Sequence, residues 1–329
     1  MKKNGENGGA GTAFKKSIIS LILAVAVLCI AGITGCVRGL QGSAGTEERP
    51  MTRVSVIFPH SDDGYWSLIT EGIEEAYEEL GEEYGIDIKF YIPQLNYNIP
   101  QMTDILRQQV AARVDFIIIQ GNEDEEFRQV LYEAHDAGIQ VICVDTPMED
   151  FPYDLYIGTD NLEAGRLLGQ ELSELTDGKG DLAVVSGSPG YKNLDDRLKG
   201  LREAISAYPD MHIKKIAYDE YDGLTFMQLY HSLDESANVL VCIEGTGGQT
   251  LSHTYSEKDT KYDFVVGFDS FEGAEAGVLD GIVKQDTNGM GRRAVEEIAR
   301  YVSEGEYSSR IIYTEAFWLD QYNYDEVMR

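Results

Sequence analysis

The sequence predicts an α/β protein whose body is two similar lobes, each a parallel sheet with helices on both faces. Three observations carry that expectation. From Thr52 onward short apolar runs alternate with amphipathic stretches, the rhythm of strand and helix units. The rhythm breaks in PMEDFPYDLYIGTDN, from Pro147 to Asn161, and then starts again. Polar side chains collect just after the apolar runs, where ligands gather in open α/β sheets.

In the first half, TRVSVIF reads as a strand, followed by a helix face built on Trp66, Ile69, Ile73, Tyr77 and Leu80. IDIKFYI is a second strand, and Met102, Ile105, Leu106 and Val110 mark a second helix. DFIIIQG, with its unbroken FIII run, fits a strand buried on both faces. EEFRQVLYEAHDAG is a helix stopped by glycine, QVICVD a strand, and Leu155 to Gly158 a short strand before the second lobe.

The second half repeats the pattern. Helix AGRLLGQELSEL leads to strand DLAVVSG, helix NLDDRLKGLREAISAY to strand HIKKIAY, and helix LTFMQLYHSL to strand NVLVCIEG. Helix GGQTLSHTYSE, strand YDFVVGFD, helix FEGAEAGVLD and strand GIVKQD follow. A last long helix, MGRRAVEEIARYVSEG, precedes one more strand-like run, RIIYTEAFWL. Two lobes in one chain leave a cleft between them, a favoured place for a small ligand.

The chain of 329 residues has room for about two domains and a sizeable core. Its formal net charge of -30 would repel phosphate backbones, which argues against nucleic-acid binding. Acidic helix faces such as EGIEEAYEELGEE make the surplus a solvated surface. Four cysteines form neither a disulfide framework nor a metal-like spacing, and Cys143 and Cys242 fall in buried-strand runs.

The first residues read as an address. Lys2, Lys3, Lys15 and Lys16 precede an almost wholly apolar run from Ser17 to Ile33, the shape of a secretory signal peptide. The run ends ITGC and resembles the lipobox of bacterial lipoproteins, which implies cleavage before Cys36 and a lipid on its thiol. An uncleaved anchor is the other reading, because the run sits at the short limit for a spanning helix. Either leaves the body outside the membrane. Residues 1–35 are thus expected to be a signal peptide and 36–51 a flexible tether reaching about 20 Å.

Candidate binding residues stand at the ends of the apolar runs. Asp63, Tyr65 and Trp66 follow the first; Asp145 and Thr146 follow VICV; Glu244, Asp269 and Gln285 follow later strands. Arg197 comes from the start of the helix after DLAVVSGSPG. Carboxylates, an amide and a guanidinium can bind adjacent hydroxyls, while an aromatic face covers the apolar side of a sugar ring. Plainer roles stand beside these: Tyr65 and Trp66 as core, Asp63, Asp145 and Asp160 as caps, and Arg197 as a surface partner of Asp195 or Asp196. No GxSxG, HExxH or GxxxxGK[ST] pattern is present, His residues are scattered, and the reading is of a binding protein without catalytic residues, metal or cofactor.

The body from about Thr52 to Gly305 resembles the type I periplasmic binding proteins, in particular the sugar-binding group similar to ribose-binding protein. The residues that carry the resemblance include VSVIFPHSDDGYWSLITEGIEEA, RVDFIIIQGN, AGIQVICVD, YIGTDNLEAGRLLGQEL, SGSPGYKNLDDRLKGL, VVGFDSFEGAEAGVLDGIVKQD and MGRRAVEEIARYVSEGE. The resemblance implies two Rossmann-like lobes joined by a three-crossing hinge, with crossings near Thr159, Gln285 and Tyr313. The expected N-terminal lobe is 52–159 plus 286–312, and the C-terminal lobe 160–285 plus 313–329. It also implies an aromatic pair, Tyr65 and Phe268, with Trp66 beside it, around a ligand held by Asp63, Asp145, Asp269, Arg197 and Gln285.

Two departures bear on the ligand. Thr146 stands where the ribose pattern has Arg, and Glu244, Gly245 and Thr246 where it has an Asn-Asp pair. Each lost charge-assisted hydrogen bond is worth about 1.5 to 3 kcal/mol, which argues against ribose; with Asp63, Asp145, Asp269 and Glu244 set mainly against Arg197, an amino sugar, another cationic ligand or a larger polyol is expected in its place. The implied function is delivery of a sugar-like ligand to an ABC permease by a monomer anchored to the cell membrane through Cys36. The alternative is presentation of the bound form to a membrane histidine kinase or chemoreceptor.

Overall fold

The structure is a computed structural model and describes residues 51–60, 64–151, 153–233, 236–255 and 261–324. The expected signal peptide, tether, Cys36 and Asp63 lie outside the described residues. The first half runs β1 (Thr52–Ile57), α1 (Gly64–Tyr84), β2 (Ile86–Tyr91), α2 (Ile99–Ala112), β3 (Phe116–Ile119), α3 (Glu125–Asp136), β4 (Gln140–Val144) and β5 (Leu155–Thr159). The second runs α4 (Asn161–Leu175), β6 (Lys179–Ser186), α5 (Lys192–Ile205), β7 (Asp210–Tyr218), α6 (Gly223–Ser232), β8 (Val239–Cys242), α7 (Gly245–Thr254), β9 (Phe264–Phe268), α8 (Phe271–Glu275) and β10 (Gly281–Gln285). The chain ends in α9 (Thr287–Glu304), β11 (Ile311–Thr314) and β12 (Ala316–Leu319).

These strands form two six-stranded sheets, ordered β11-β5-β4-β3-β1-β2 and β12-β10-β9-β8-β6-β7. All neighbours are parallel except β10 and β12. The apolar run of β3 shows why these sequences become central strands. Ile118 joins the core on one face of its sheet, and Ile117 and Ile119 the core on the other. β8 behaves alike in its own sheet, with Leu240 and Cys242 on one face and Val239 and Val241 on the other. Cys143 and Cys242 are accordingly free, buried core thiols, and burial pushes both of them up in pKa.

Three crossings connect the sheets, at Asp160, Asp286 and Glu315. The first two also start helices: Asp160 accepts from the Glu163 N–H at 3.1 Å and Asp286 from the Gly289 N–H at 3.0 Å. The Asp286 N–H donates to the Glu315 carbonyl at 3.0 Å, tying the second crossing to the third. RIIYTEAFWL, expected as one strand, is therefore two strands in different sheets. Thr314 still pairs with Thr159, so Tyr313 and Thr314 belong to the first sheet and the crossing falls later than the expected boundary after residue 312. FEGAEAGVLD supplies only the short α8, because Gly277 turns at φ 69° and lets Val278 and Leu279 drop into the core.

The helix pair α4 and α5 packs at glycine contact. A Cβ on Gly165 would collide with the Arg197 carbonyl, and one on Gly200 with the Leu162 carbonyl. This close approach fixes the height of Arg197 over its sheet. In the first lobe Gly72 and Gly291 do the same for α1 and α9.

Candidate binding cleft

β4 ends at Val144 and the chain turns through Asp145 at φ 67°, a left-handed conformation that carboxylate and amide residues tolerate better than most. The turn is pinned by the Asp145 N–H donating to the Ile157 carbonyl at 3.0 Å and by the Tyr156 hydroxyl donating to the Asp145 carbonyl at 2.9 Å. The carboxylate is buried and accepts from the Tyr65 hydroxyl (2.6 Å), Gln120 Nε2 (2.9 Å), Thr146 Oγ1 (2.6 Å) and Asn193 Nδ2 (3.4 Å). Asn193 belongs to α5, so Asp145 joins the two lobes rather than capping a helix. Burial, and then the carboxylates of Asp145 and Asp269, hold the Tyr65 phenol well above its usual range, and it stays a donor.

In the second lobe Asp269 follows β9 at φ 54°, and its N–H donates to the Val283 carbonyl at 3.2 Å. Its carboxylate takes the Gln285 backbone N–H at 3.0 Å and Gln285 Nε2 at 2.5 Å. Burial raises its pKa, opposed by the Arg197 charge and the Gln285 bonds. Gln285 Oε1 is buried with no partner among the described residues, an acceptor available to a ligand.

Arg197 is 3% exposed and forms no surface pair with Asp195 or Asp196; Lys192 takes Asp196 at 3.0 Å. The guanidinium lies 4.1 Å over the Phe268 ring, with Nε donating to Asn161 Oδ1 at 2.8 Å and Nη1 to the Ile243 carbonyl at 3.1 Å. Phe268 is fully buried and does not line the cleft, so it acts as a platform for Arg197. Trp66 is both core and wall. It packs on Phe58 at 4.9 Å, donates through Nε1 to the Tyr97 hydroxyl at 3.0 Å, and still touches the cavity.

Glu244 caps α7, accepting from the Thr246 N–H at 2.7 Å and the Gly247 N–H at 3.2 Å, while also lining the cavity. Behind it Asp219 is fully buried; Oδ1 accepts from the Tyr221 N–H at 3.0 Å, and Oδ2 has no partner among the described residues. Burial, then the neighbouring Glu244 carboxylate, pushes Asp219 up to about 9. A proton retained there at neutral pH gives Oδ2 something to donate to Glu244.

Tyr65, Trp66 and Asp145 from one lobe and Arg197, Glu244, Asp269 and Gln285 from the other line one polar cavity of ≈80 Å³. That is about half the ~150 Å³ that holds a benzene ring, so seating a sugar ring requires some parting of the walls. Thr146 does not line the cavity and serves it through Asp145 and through Gln120, whose Nε2 donates to Thr146 Oγ1 at 3.3 Å. Sequence reasoning missed Gln120, Asn193, Tyr97, Tyr221, Gln249 and the supporting Asp219. Gln120 and Asp219 directly follow predicted strands and obey the same strand-end rule; the other four sit in loops or helix turns and carry no such signal. Among the described residues no cluster of three or more His, Cys, Asp or Glu side chains is placed to hold a metal ion.

Two α/β lobes, each built on a largely parallel sheet, around a hydrogen-bonding cleft define a ligand-binding protein of the two-lobed class. The periplasmic binding protein domain family matches residues 54–306, and the chain belongs to that family, which makes it a binding protein and not an enzyme. The fold is similar to the crystal structure of GanP, a glucose-galactose binding protein from Geobacillus stearothermophilus, with TM-score 0.75, 24% identity, and coverage of 84% of this chain and 99% of that one. It is also similar to an ABC transporter solute binding protein from Burkholderia graminis in complex with D-arabinose, with TM-score 0.75, 21% identity, and coverage of 83% and 96%. In sequence, the galactofuranose-binding protein YtfQ of Escherichia coli is 28% identical over 166 residues, a match spanning 49% of each chain.

Proposed function

We propose that this protein is an extracytoplasmic lipoprotein that captures a sugar or sugar-like molecule between its lobes and delivers it to an ABC importer, anchored through lipid on Cys36. The observation that carries the reading is the placement of Arg197. A buried guanidinium seated on Phe268, facing Asp145 and Gln285 across a small cavity, is a device for gripping adjacent hydroxyls. The sugar-binding relatives support the same class of ligand.

The cavity wall favours a ring bearing an ammonium group over a neutral pentose. Asp145, Asp269, Glu244 and the Gln285 Oε1 acceptor stand against one guanidinium. Native mass spectrometry of the purified protein should reveal a co-purified small molecule. Calorimetric titration with D-glucosamine, D-galactose, D-arabinose and D-ribose should then rank the amino sugar first. Arg197→Lys cannot reproduce the fork over Phe268, and affinity should fall at least about 10-fold; a variant that binds as tightly as the parent would sink the assignment. Cys36→Ala should release the chain from the membrane fraction.

A further inference from the structure

We propose that Tyr97 and Tyr221 form a gate across the cleft that restricts the ligand to a single ring. The proposal rests on the sugar-binding reading above and adds a rule of size to it. Tyr97 lies between β2 and α2 in the first lobe, and Tyr221 follows β7 in the second. Their rings stack with centroids 4.6 Å apart and planes 9° from parallel. The pair comes from opposite lobes, so the stack exists only when the lobes are together.

Each ring is held in place by its own lobe. Both residues adopt left-handed backbone, φ 54° and 57°, which is uncommon for a bulky side chain and has to be held by its surroundings. The Tyr97 N–H donates to the Pro59 carbonyl at 2.9 Å, and its hydroxyl accepts from Trp66 Nε1 at 3.0 Å. The Tyr221 N–H donates to Asp219 Oδ1 at 3.0 Å, and Tyr191 meets its ring edge-on at 5.5 Å. Gly187 leaves the space the Tyr221 ring fills, since a Cβ there would collide with it.

What the stack separates gives it a role. Both rings line the inner cavity of ≈80 Å³, and both line an outer cavity of ≈550 Å³ whose other walls include Asn122, Ser188 and Glu220. The tyrosine pair thus stands between a small polar site and a larger outer space. A second sugar unit linked to a ring in the inner site would have to pass through the position of the stacked rings. Shortening Tyr97 should join the two spaces into one groove.

The test compares the parent protein with Tyr97→Ala, Tyr97→Phe and Tyr221→Ala. Calorimetry would use D-galactose and D-glucosamine against lactose and chitobiose, alongside small-angle scattering of the sugar-free proteins. The parent should bind single rings and exclude both disaccharides. Tyr97→Ala should bind a disaccharide at least about 10-fold better than the parent, and bind single rings about 2- to 10-fold more weakly. Its sugar-free scattering should shift to a larger radius of gyration, while Tyr97→Phe, which loses the acceptor for Trp66 Nε1 but keeps the stack, should keep the parent's sugar-free radius of gyration. Parent-like size selection and scattering in both alanine variants, with thermal unfolding showing them folded, would overturn the gate. Should the parent bind none of the four sugars, the sugar reading falls, and the scattering comparison alone decides for or against the gate.

Discussion

Asp145 and Asp269 are structural counterparts in the two lobes. Each follows a strand, turns through left-handed backbone, and donates its N–H to the neighbouring strand, at Ile157 and Val283 respectively. Their carboxylates are nevertheless engaged differently. Asp145 accepts from Tyr65, Gln120, Thr146 and, across the cleft, Asn193, whereas among the described residues Asp269 accepts from Gln285 alone.

That asymmetry makes a matched pair of substitutions informative. Alanine strains both positions equally through the shared backbone conformation, so the difference between the variants reports the lost acceptors. Asp145→Ala strands several buried donors and should cost at least ~2 kcal/mol more than Asp269→Ala, at ~1–3 kcal/mol for each unsatisfied buried group. By thermal unfolding the gap should be roughly 4–8 °C at ~2–4 °C per kcal/mol for a chain of this size. Equal melting temperatures for the two variants would show that the additional donors on Asp145 add no net stability.

Asp219 predicts a pH dependence. Its folded-state pKa is pushed up from 3.8 to about 9, so the folded protein holds a proton that the unfolded chain has lost. The stability Asp219 contributes is complete below about pH 4 and declines as pH rises toward 9. Asp219→Asn removes the titration, keeps an acceptor for the Tyr221 N–H, and supplies a permanent donor toward Glu244. The melting temperature of this variant relative to the parent should climb steadily between pH 5 and pH 9; a constant difference across that range would rule the argument out.

The readable part of the site was the part governed by strand ends. Asp145, Glu244, Asp269 and Gln285 are each the first polar residue after, or the last within, an apolar strand, so topology alone brings them to one edge. Arg197 was readable as a helix-start residue but its partner was not, because the Phe268 platform depends on how closely α5 packs over the second sheet. Tyr97 and Tyr221 were invisible for another reason. Asn96, Asn98 and Gly223 beside them mark turns, but nothing in the sequence says that the tyrosine itself takes left-handed backbone, held at Tyr97 by a bond to the distant Pro59 carbonyl and at Tyr221 by the local Asp219 carboxylate. The split of RIIYTEAFWL at Glu315 was equally hidden, since an uninterrupted β pattern does not say which sheet each half will join.

Helix packing in the second lobe should control ligand affinity from behind the site. A Cβ at Gly165 meets the backbone carbonyl of Arg197 itself, so Gly165→Ala must push α5 away from α4 and carry the guanidinium off the Phe268 ring. Gly72→Ala makes a similar collision with the Asn288 carbonyl, but in the first lobe and away from Arg197. Overpacking costs about 1–3 kcal/mol and the helix preference of Ala over Gly returns roughly 1 kcal/mol, so both variants should lose about 0–2 kcal/mol of stability. Their binding should differ: Gly165→Ala is expected to weaken titrated sugar affinity about 10-fold, and Gly72→Ala to leave it near the parent value. Equal affinities in the two variants would mean that the height of α5 does not set the grip of Arg197. A loss confined to Gly165→Ala would place that grip in the glycine contact between the helices.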